Sequence, residues 1–178
     1  VAAYCGDDCH IAPGRNFEGL DDTARALDAR LAIGRLFGVR NPSRVIFTSG
    51  VTASLNMILN GGLRPGDHVI TTSVEHNAAA RPLALLERRG IIDVTWMPCA
   101  PDGSLDPDLV AKSLRTNSRM LVMTHASNVL GTILPFEECF AVAKGHGLLT
   151  VLDSAQTAGS IGLRLGPNTD AVAFAGHK

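Results

Sequence analysis

The sequence predicts an α/β fold, a mostly parallel sheet covered by helices on both faces in three α/β/α layers. Three observations point there. Short β-prone runs alternate with helical patterns along almost the whole chain. The runs are apolar without a clean in-and-out alternation, as expected of strands buried on both faces. Polar, glycine-containing phrases then follow the runs, where the carboxyl ends of parallel strands bring ligand-binding loops together.

In chain order, a helical pattern over about 18–37 comes first. Val45-Ile46-Phe47-Thr48 is expected as the first strand, with a helix over about 51–60 behind it. Val69-Ile70-Thr71-Thr72 is the second strand, leading into a helix over about 76–89 that Gly90 stops. A less regular strand, Val94-Thr95-Trp96-Met97, precedes a helix over about 106–115 that starts at Asp106. Met120-Leu121-Val122-Met123 precedes a helix over about 136–146, started by Pro135 and stopped by Gly147. Leu149-Thr150-Val151-Leu152 and Ala171-Val172-Ala173-Phe174 complete the strands.

At 178 residues, without a repeat or a Pro/Gly/Ser linker, the chain reads as one folding unit over 1–178. Its start at Val1-Ala2-Ala3 and its last residue, Lys178, suggest a unit incomplete at both ends. A net charge of -1 offers nucleic acid or an anionic membrane surface nothing to bind, and no apolar run reaches the ~18–20 residues of a membrane helix. Cys5, Cys9, Cys99 and Cys139 are too sparse and uneven for a disulfide scaffold, which points to a reduced, cytoplasmic protein. The spacing of Cys5, Cys9 and His10 matches no common zinc pattern, so no metal site is expected.

Chemistry concentrates in five phrases. Thr48-Ser49-Gly50-Val51-Thr52-Ala53-Ser54 is a small polar turn opening a helix, where free amides and the positive dipole end favour an anion; ordinary N-capping satisfies the same residues. Ser73-Val74-Glu75-His76-Asn77 sets His76 at a strand's end, able to stack on a ring and exchange protons, or simply to cap. In Thr124-His125-Ala126-Ser127-Asn128, Asn128 is available to a ligand oxygen or to turn chemistry. Val151-Leu152-Asp153-Ser154-Ala155-Gln156 ends an apolar strand on a carboxylate that needs a partner, such as a protonated ring nitrogen, or caps the following loop. Ala175-Gly176-His177-Lys178 ends on a lysine that a desolvated strand end would make nucleophilic enough for a Schiff base, or that is an ordinary solvated surface group.

Together and in this order, these phrases resemble the class V aminotransferase family of fold-type I pyridoxal-phosphate enzymes, and within it the cysteine desulfurases, or NifS-like proteins. The matching segments are Thr48 to Thr52, Glu75 to Asn77, Ser127 to Thr132, Asp153 to Gly159 and Ala173 to Lys178, and the first 17 residues match least. The resemblance implies the large cofactor-binding domain of such an enzyme, without its C-terminal small domain. It implies pyridoxal 5'-phosphate as cofactor, with Lys178 as its covalent anchor and as general base at the substrate α-carbon. It further implies phosphate binding by Val51, Thr52 and His177, ring stacking and proton shuttling by His76, pairing of Asp153 with the ring nitrogen, and contacts of Asn128 and Gln156 with the phenolic oxygen. L-cysteine as substrate, a homodimer and a sulfur-acceptor protein follow from the same source.

Two positions depart from the pattern. Many desulfurases carry serine before Gly-His-Lys as a donor to the phosphate, where this chain has Ala175; the glutamate common after the turn's threonine is Ala53. None of the four cysteines matches the persulfide-bearing cysteine of the family. Other class V reactions, transamination or epimerisation of a small amino acid, remain open on these residues, as does an inactive scaffold. A dinucleotide-binding fold lacks its Gly-x-Gly-x-x-Gly.

Overall fold

The computed structural model describes residues 17–176, with side chains from residue 23 onward; Cys5, Cys9, His10, His177 and Lys178 lie outside the described residues. Helix α1 covers Phe17–Phe37 and α2 Val51–Gly62, followed by β1 His68–Thr72, α3 Asn77–Arg88 and β2 Asp93–Met97. Then come α4 Asp108–Ser113, β3 Ser118–Thr124, α5 Phe136–Gly145, β4 Leu149–Asp153 and β5 Ala171–Ala173. The five strands form one parallel sheet in the order β2-β1-β3-β4-β5. The α/β expectation holds.

Alternation along each strand divides the core between two faces, which is why apolar residues fill both parities. Val69, Val122 and Val151 pack with Leu55 and Leu59 of α2 and with Ala79 and Leu83 of α3. Ile70, Leu121, Met123 and Leu152 pack on the opposite face with Val110 of α4, Phe136 and Phe140 of α5, and Phe37. Leu55, Leu59, Leu83 and Phe140 are fully buried, so each contributes roughly 1.5–3 kcal/mol of transfer free energy.

The helix stops are where glycine chemistry puts them. Gly90 and Gly147 adopt φ of 66° and 77°, the left-handed conformation that ends a helix without steric cost. Pro135 stands at the N-cap of α5. Asp106 accepts from the Asp108 amide at the start of α4, and α4 itself is shorter than expected.

One expected strand is absent. Val45 to Thr48 belongs to none of the strands; it follows a short 3-10 turn, Pro42–Arg44, and runs on to α2. Val45 is extended, with φ -90° and ψ 115°, but no neighbouring strand pairs with it. The segment is tied instead to helices: the Arg30 guanidinium of α1 lies 5.4 Å from the Phe47 ring centroid. The composition is β-prone, yet a strand needs a partner, and among the described residues the backbone has none.

The strand order matters for function. From β1 the chain steps outward to β2, then returns to place β3 on the other side of β1. The crevice beyond the carboxyl ends of β1 and β3 is thus a topological switch point, the position where open α/β sheets bind ligands.

Candidate functional site

Helix α2 opens without a side-chain cap. Its N-cap is Gly50, at φ 153° and ψ 176°, with no capping hydrogen bond from a side chain. The Thr48 hydroxyl, a natural capping candidate, instead donates to Gly50 O at 3.0 Å and shares a 2.7 Å bond with the Ser54 hydroxyl. Gly50 has no atom within 4 Å of a hypothetical Cβ, so glycine is required there by backbone conformation rather than by space. The first-turn amides, uncapped by any side chain and at the positive end of the helix dipole, suit an anion. Ordinary capping by Ser or Thr therefore does not explain the turn.

Opposite stands Asp153, the last residue of β4, only 2% exposed. It pairs in register with Thr124 of β3 on one side and Ala173 of β5 on the other. Its Oδ1 accepts from the Ala155 amide at 3.0 Å, which turns the chain sharply out of the strand. A carboxylate this deep favours a cationic partner.

Ser49 to Ala53, His76, Thr124, Asn128, Asp153, Gln156 and Ala175 share the wall of one cavity of about 280 Å³. Seven of the residues singled out by sequence, Val51, Thr52, His76, Asn128, Asp153, Gln156 and Ala175, are thereby brought together. The remaining two, His177 and Lys178, follow Ala175 and Gly176 but lie outside the described residues. A larger groove, of about 920 Å³ between α1, α2 and β5, contains none of them.

Local structure sets each side chain. His76 is the N-cap of α3, where its Nδ1 accepts from the Ala78 amide at 3.1 Å; a neutral imidazole there carries its proton on Nε2. The capping reading of His76 is the one observed, and the same side chain also lines the cavity. Asn128 is exposed on a short hairpin closed by the Ala126–Ile133 bridge. The Ser127 hydroxyl accepts from Val129 N and Leu130 N at the hairpin tip. Thr132 Oγ1 donates to Asp102 O at 2.7 Å, bracing the hairpin against the turn before α4. Gln156 is exposed in the turn that follows Asp153.

Two supporting residues carried no sequence signal of their own. His125 is buried and its Nδ1 shares a 2.7 Å hydrogen bond with the Thr157 hydroxyl; burial lowers its pKa. Glu75, quoted only as a neighbour of His76, accepts at Oε1 from the Thr72 hydroxyl at 2.6 Å and from Thr124 N at 2.9 Å. Burial pushes its carboxyl up to about 8 against the opposing effect of those two donors. Both are tertiary contacts that no local spacing reveals.

The arrangement suits a small ligand with an anionic group at the start of α2 and a cationic group near Asp153. The aminotransferase class-V family profile matches residues 16–178. Cysteine desulfurase IscS of Dictyoglomus turgidum is 34% identical over 156 residues, 85% of this chain and 39% of that protein. Among solved structures, SspA in complex with cysteine superposes with a TM-score of 0.84 at 27% identity, over 93% of this chain and 49% of that one. The cysteine desulfurase CsdA of Escherichia coli does so with a TM-score of 0.79 at 26% identity, over 96% and 43% respectively. The chain thus spans about two fifths of the length of the curated relatives it matches. Class-V aminotransferases and cysteine desulfurases depend on pyridoxal phosphate. Profile, sheet and residues at the strand ends agree on one assignment: this chain belongs to the class-V aminotransferase family.

Proposed function

We propose that the whole protein is a pyridoxal 5'-phosphate-dependent cysteine desulfurase, with this chain as its large cofactor-binding domain and a smaller domain outside it. The observation that carries the reading is that an uncapped helix start and a buried carboxylate line the same small cavity. The first answers a phosphate and the second a protonated pyridine nitrogen, the two ends of this cofactor. Val51, Thr52 and His177 hold the phosphate, Asp153 the ring nitrogen, Asn128 and Gln156 the phenolic oxygen, and Lys178 is the covalent anchor. Ala175 adds no hydroxyl to the phosphate, so the α2 amides carry more of that contact.

When bound, the cofactor acts as an electron sink for the substrate α-carbon. Asp153 keeps that sink effective by favouring the protonated ring nitrogen. His76, fixed through Nδ1 to the start of α3, presents Nε2 as a proton donor or acceptor. Lys178 would supply the base at the α-carbon. The electron pair of the broken carbon–sulfur bond stays with carbon and takes a proton, giving alanine. The sulfur passes to an enzyme thiolate as a persulfide, so no external oxidant or reductant enters.

Neither described cysteine suits the role of acceptor thiolate. Burial pushes the Cys139 thiol up to about 12, and Cys99 is raised as well, so neither is readily a thiolate near neutral pH. Both are free thiols, in keeping with a reducing, cytoplasmic setting. A homodimer and a sulfur-acceptor protein complete the reading. Incubation of the whole protein with L-cysteine and a reductant tests it: equimolar alanine and sulfide are expected. Formation of a 2-oxo acid or of the D-isomer instead contradicts it and favours transamination or epimerisation.

A further inference from the structure

At the switch point, β3 outruns its ladder with β1, whose last registered pair is Ile70 with Leu121. The Thr124 amide at the end of β3 therefore needs another acceptor, and Glu75 Oε1 supplies it from the loop after β1. The same oxygen accepts from the Thr72 hydroxyl at the end of β1, so one carboxyl clamps the two diverging strands. Its second oxygen, Oε2, is sealed from solvent although the residue keeps some surface, and finds no hydrogen-bond partner among the described residues. An ionised carboxylate with one bare, buried oxygen is costly, whereas the neutral acid is tolerated.

The titratable groups that face this carboxyl, among the described residues, are Asp153 at the end of β4 and the Cys99 thiol beyond β2, both coupled to it electrostatically. His76 adjoins it in the chain, but its ring is held to α3 through Ala78 N. Glu75 is not among the residues lining the cavity, so it acts on a ligand only through a neighbour.

We propose that Glu75 is a positioning residue that acts through Asp153: clamped between the ends of β1 and β3, its carboxyl sets the charge around Asp153 and so the protonation of the cation that Asp153 holds. This rests on the cofactor reading above. Neutral Glu75 leaves Asp153 as the single negative charge of the pair. Ionised Glu75 adds a second charge behind it and strengthens the hold on a ring-nitrogen proton. Since burial raises the carboxyl to about 8, the change falls on the alkaline side of neutrality.

The test compares the whole protein with its Glu75→Gln variant, which keeps an acceptor for Thr72 and Thr124 but cannot ionise. The first readout is thermal unfolding of the cofactor-free protein against pH. A folded-state pKa raised above the unfolded value near 4.5 gives stability that is present at low pH and lost as pH rises to about 8. The wild type is thus expected to lose several degrees relative to the variant across that window; parallel profiles overturn the protonated clamp. The second readout is the absorption spectrum of the loaded protein against pH. A transition near 8 is expected in the wild type and not in the variant, and superimposable titrations overturn the coupling to Asp153. A wild type that takes up no pyridoxal phosphate overturns the cofactor reading and this inference with it, but leaves the first readout standing. Should Glu75→Gln not fold, Thr72→Val serves: it deletes a donor that lowers the Glu75 pKa, so the transition moves to higher pH, and an unmoved transition overturns the proposal.

Discussion

His125 and Thr157, 32 residues apart, share a 2.7 Å hydrogen bond that ties the loop after β3 to the loop after β4. The first loop carries Asn128, and the second carries Gln156 directly before Thr157. His125 is further held by its amide donating to Asp153 O at 2.8 Å and by an edge-on contact of its ring with Phe136, centroids 4.9 Å apart. One buried imidazole thus sets the spacing of three residues that line the cavity. Thr157→Val, which keeps the shape and deletes the hydroxyl, is expected to cost about 1 kcal/mol of stability. It should also weaken pyridoxal phosphate binding several-fold, measured by titration of the cofactor-free protein. Unchanged affinity would show that the bond serves stability alone.

Gly50 should not tolerate a side chain. At φ 153° and ψ 176° the backbone is in a region that only glycine occupies readily, so Gly50→Ala is expected to cost about 1–3 kcal/mol or to rotate the start of α2. Either outcome weakens the binding of inorganic phosphate, which calorimetry can follow as a probe of the α2 site without the rest of the cofactor.

Ala175 is buried and lines the cavity. Ala175→Ser is expected to tighten pyridoxal phosphate binding on the order of tenfold, the worth of one added hydrogen bond to a charged group. Weaker binding would mean that the serine hydroxyl is buried without an acceptor and that the phosphate lies elsewhere.

Gly103 combines φ 82° with near contacts: a Cβ there would meet Thr132 Oγ1 at 2.7 Å and Leu130 Cδ1 at 2.8 Å. Gly103→Ala is expected to destabilise by roughly 1–3 kcal/mol and to displace the hairpin bearing Asn128. Denaturant unfolding together with cofactor affinity checks both effects.

His68 is fully buried between β2 and β3, bonded through Nδ1 to Ser118 and through Nε2 to Thr95, each at 2.8 Å. Burial lowers its pKa, aided by the Arg115 charge and opposed by Asp93. A base whose folded pKa lies below its unfolded value gives stability that is present above about 6.5 and lost as pH falls further. The melting temperature should therefore drop on acidification from pH about 7 to about 5, and less steeply in His68→Gln.

The secondary structure was largely legible because apolar runs and glycine stops coincide: the expected helix of about 51–60 is observed at 51–62, and that of about 136–146 at 136–145. Val45 to Thr48 misled because its β-prone residues describe a surface that fits a sheet, while pairing depends on a neighbour that this segment lacks among the described residues. At the site, Asp153 was readable as a carboxylate ending an apolar strand. The roles of Glu75 and His125 were not, because they are set by contacts across 49 and 32 residues of chain. Likewise, Gly50 could be read as part of a turn, but not that it replaces Thr48 as the helix cap.

The proposed function requires that the cavity between α2 and Asp153 hold pyridoxal phosphate anchored on Lys178. Borohydride reduction of the whole protein, followed by proteolysis and mass mapping, tests it most directly. A reduced pyridoxyl-phosphate adduct on the peptide containing Ala175-Gly176-His177-Lys178 is the predicted result, and loss of the adduct in Lys178→Ala should accompany it. An unmodified Lys178 in protein saturated with the cofactor contradicts the account.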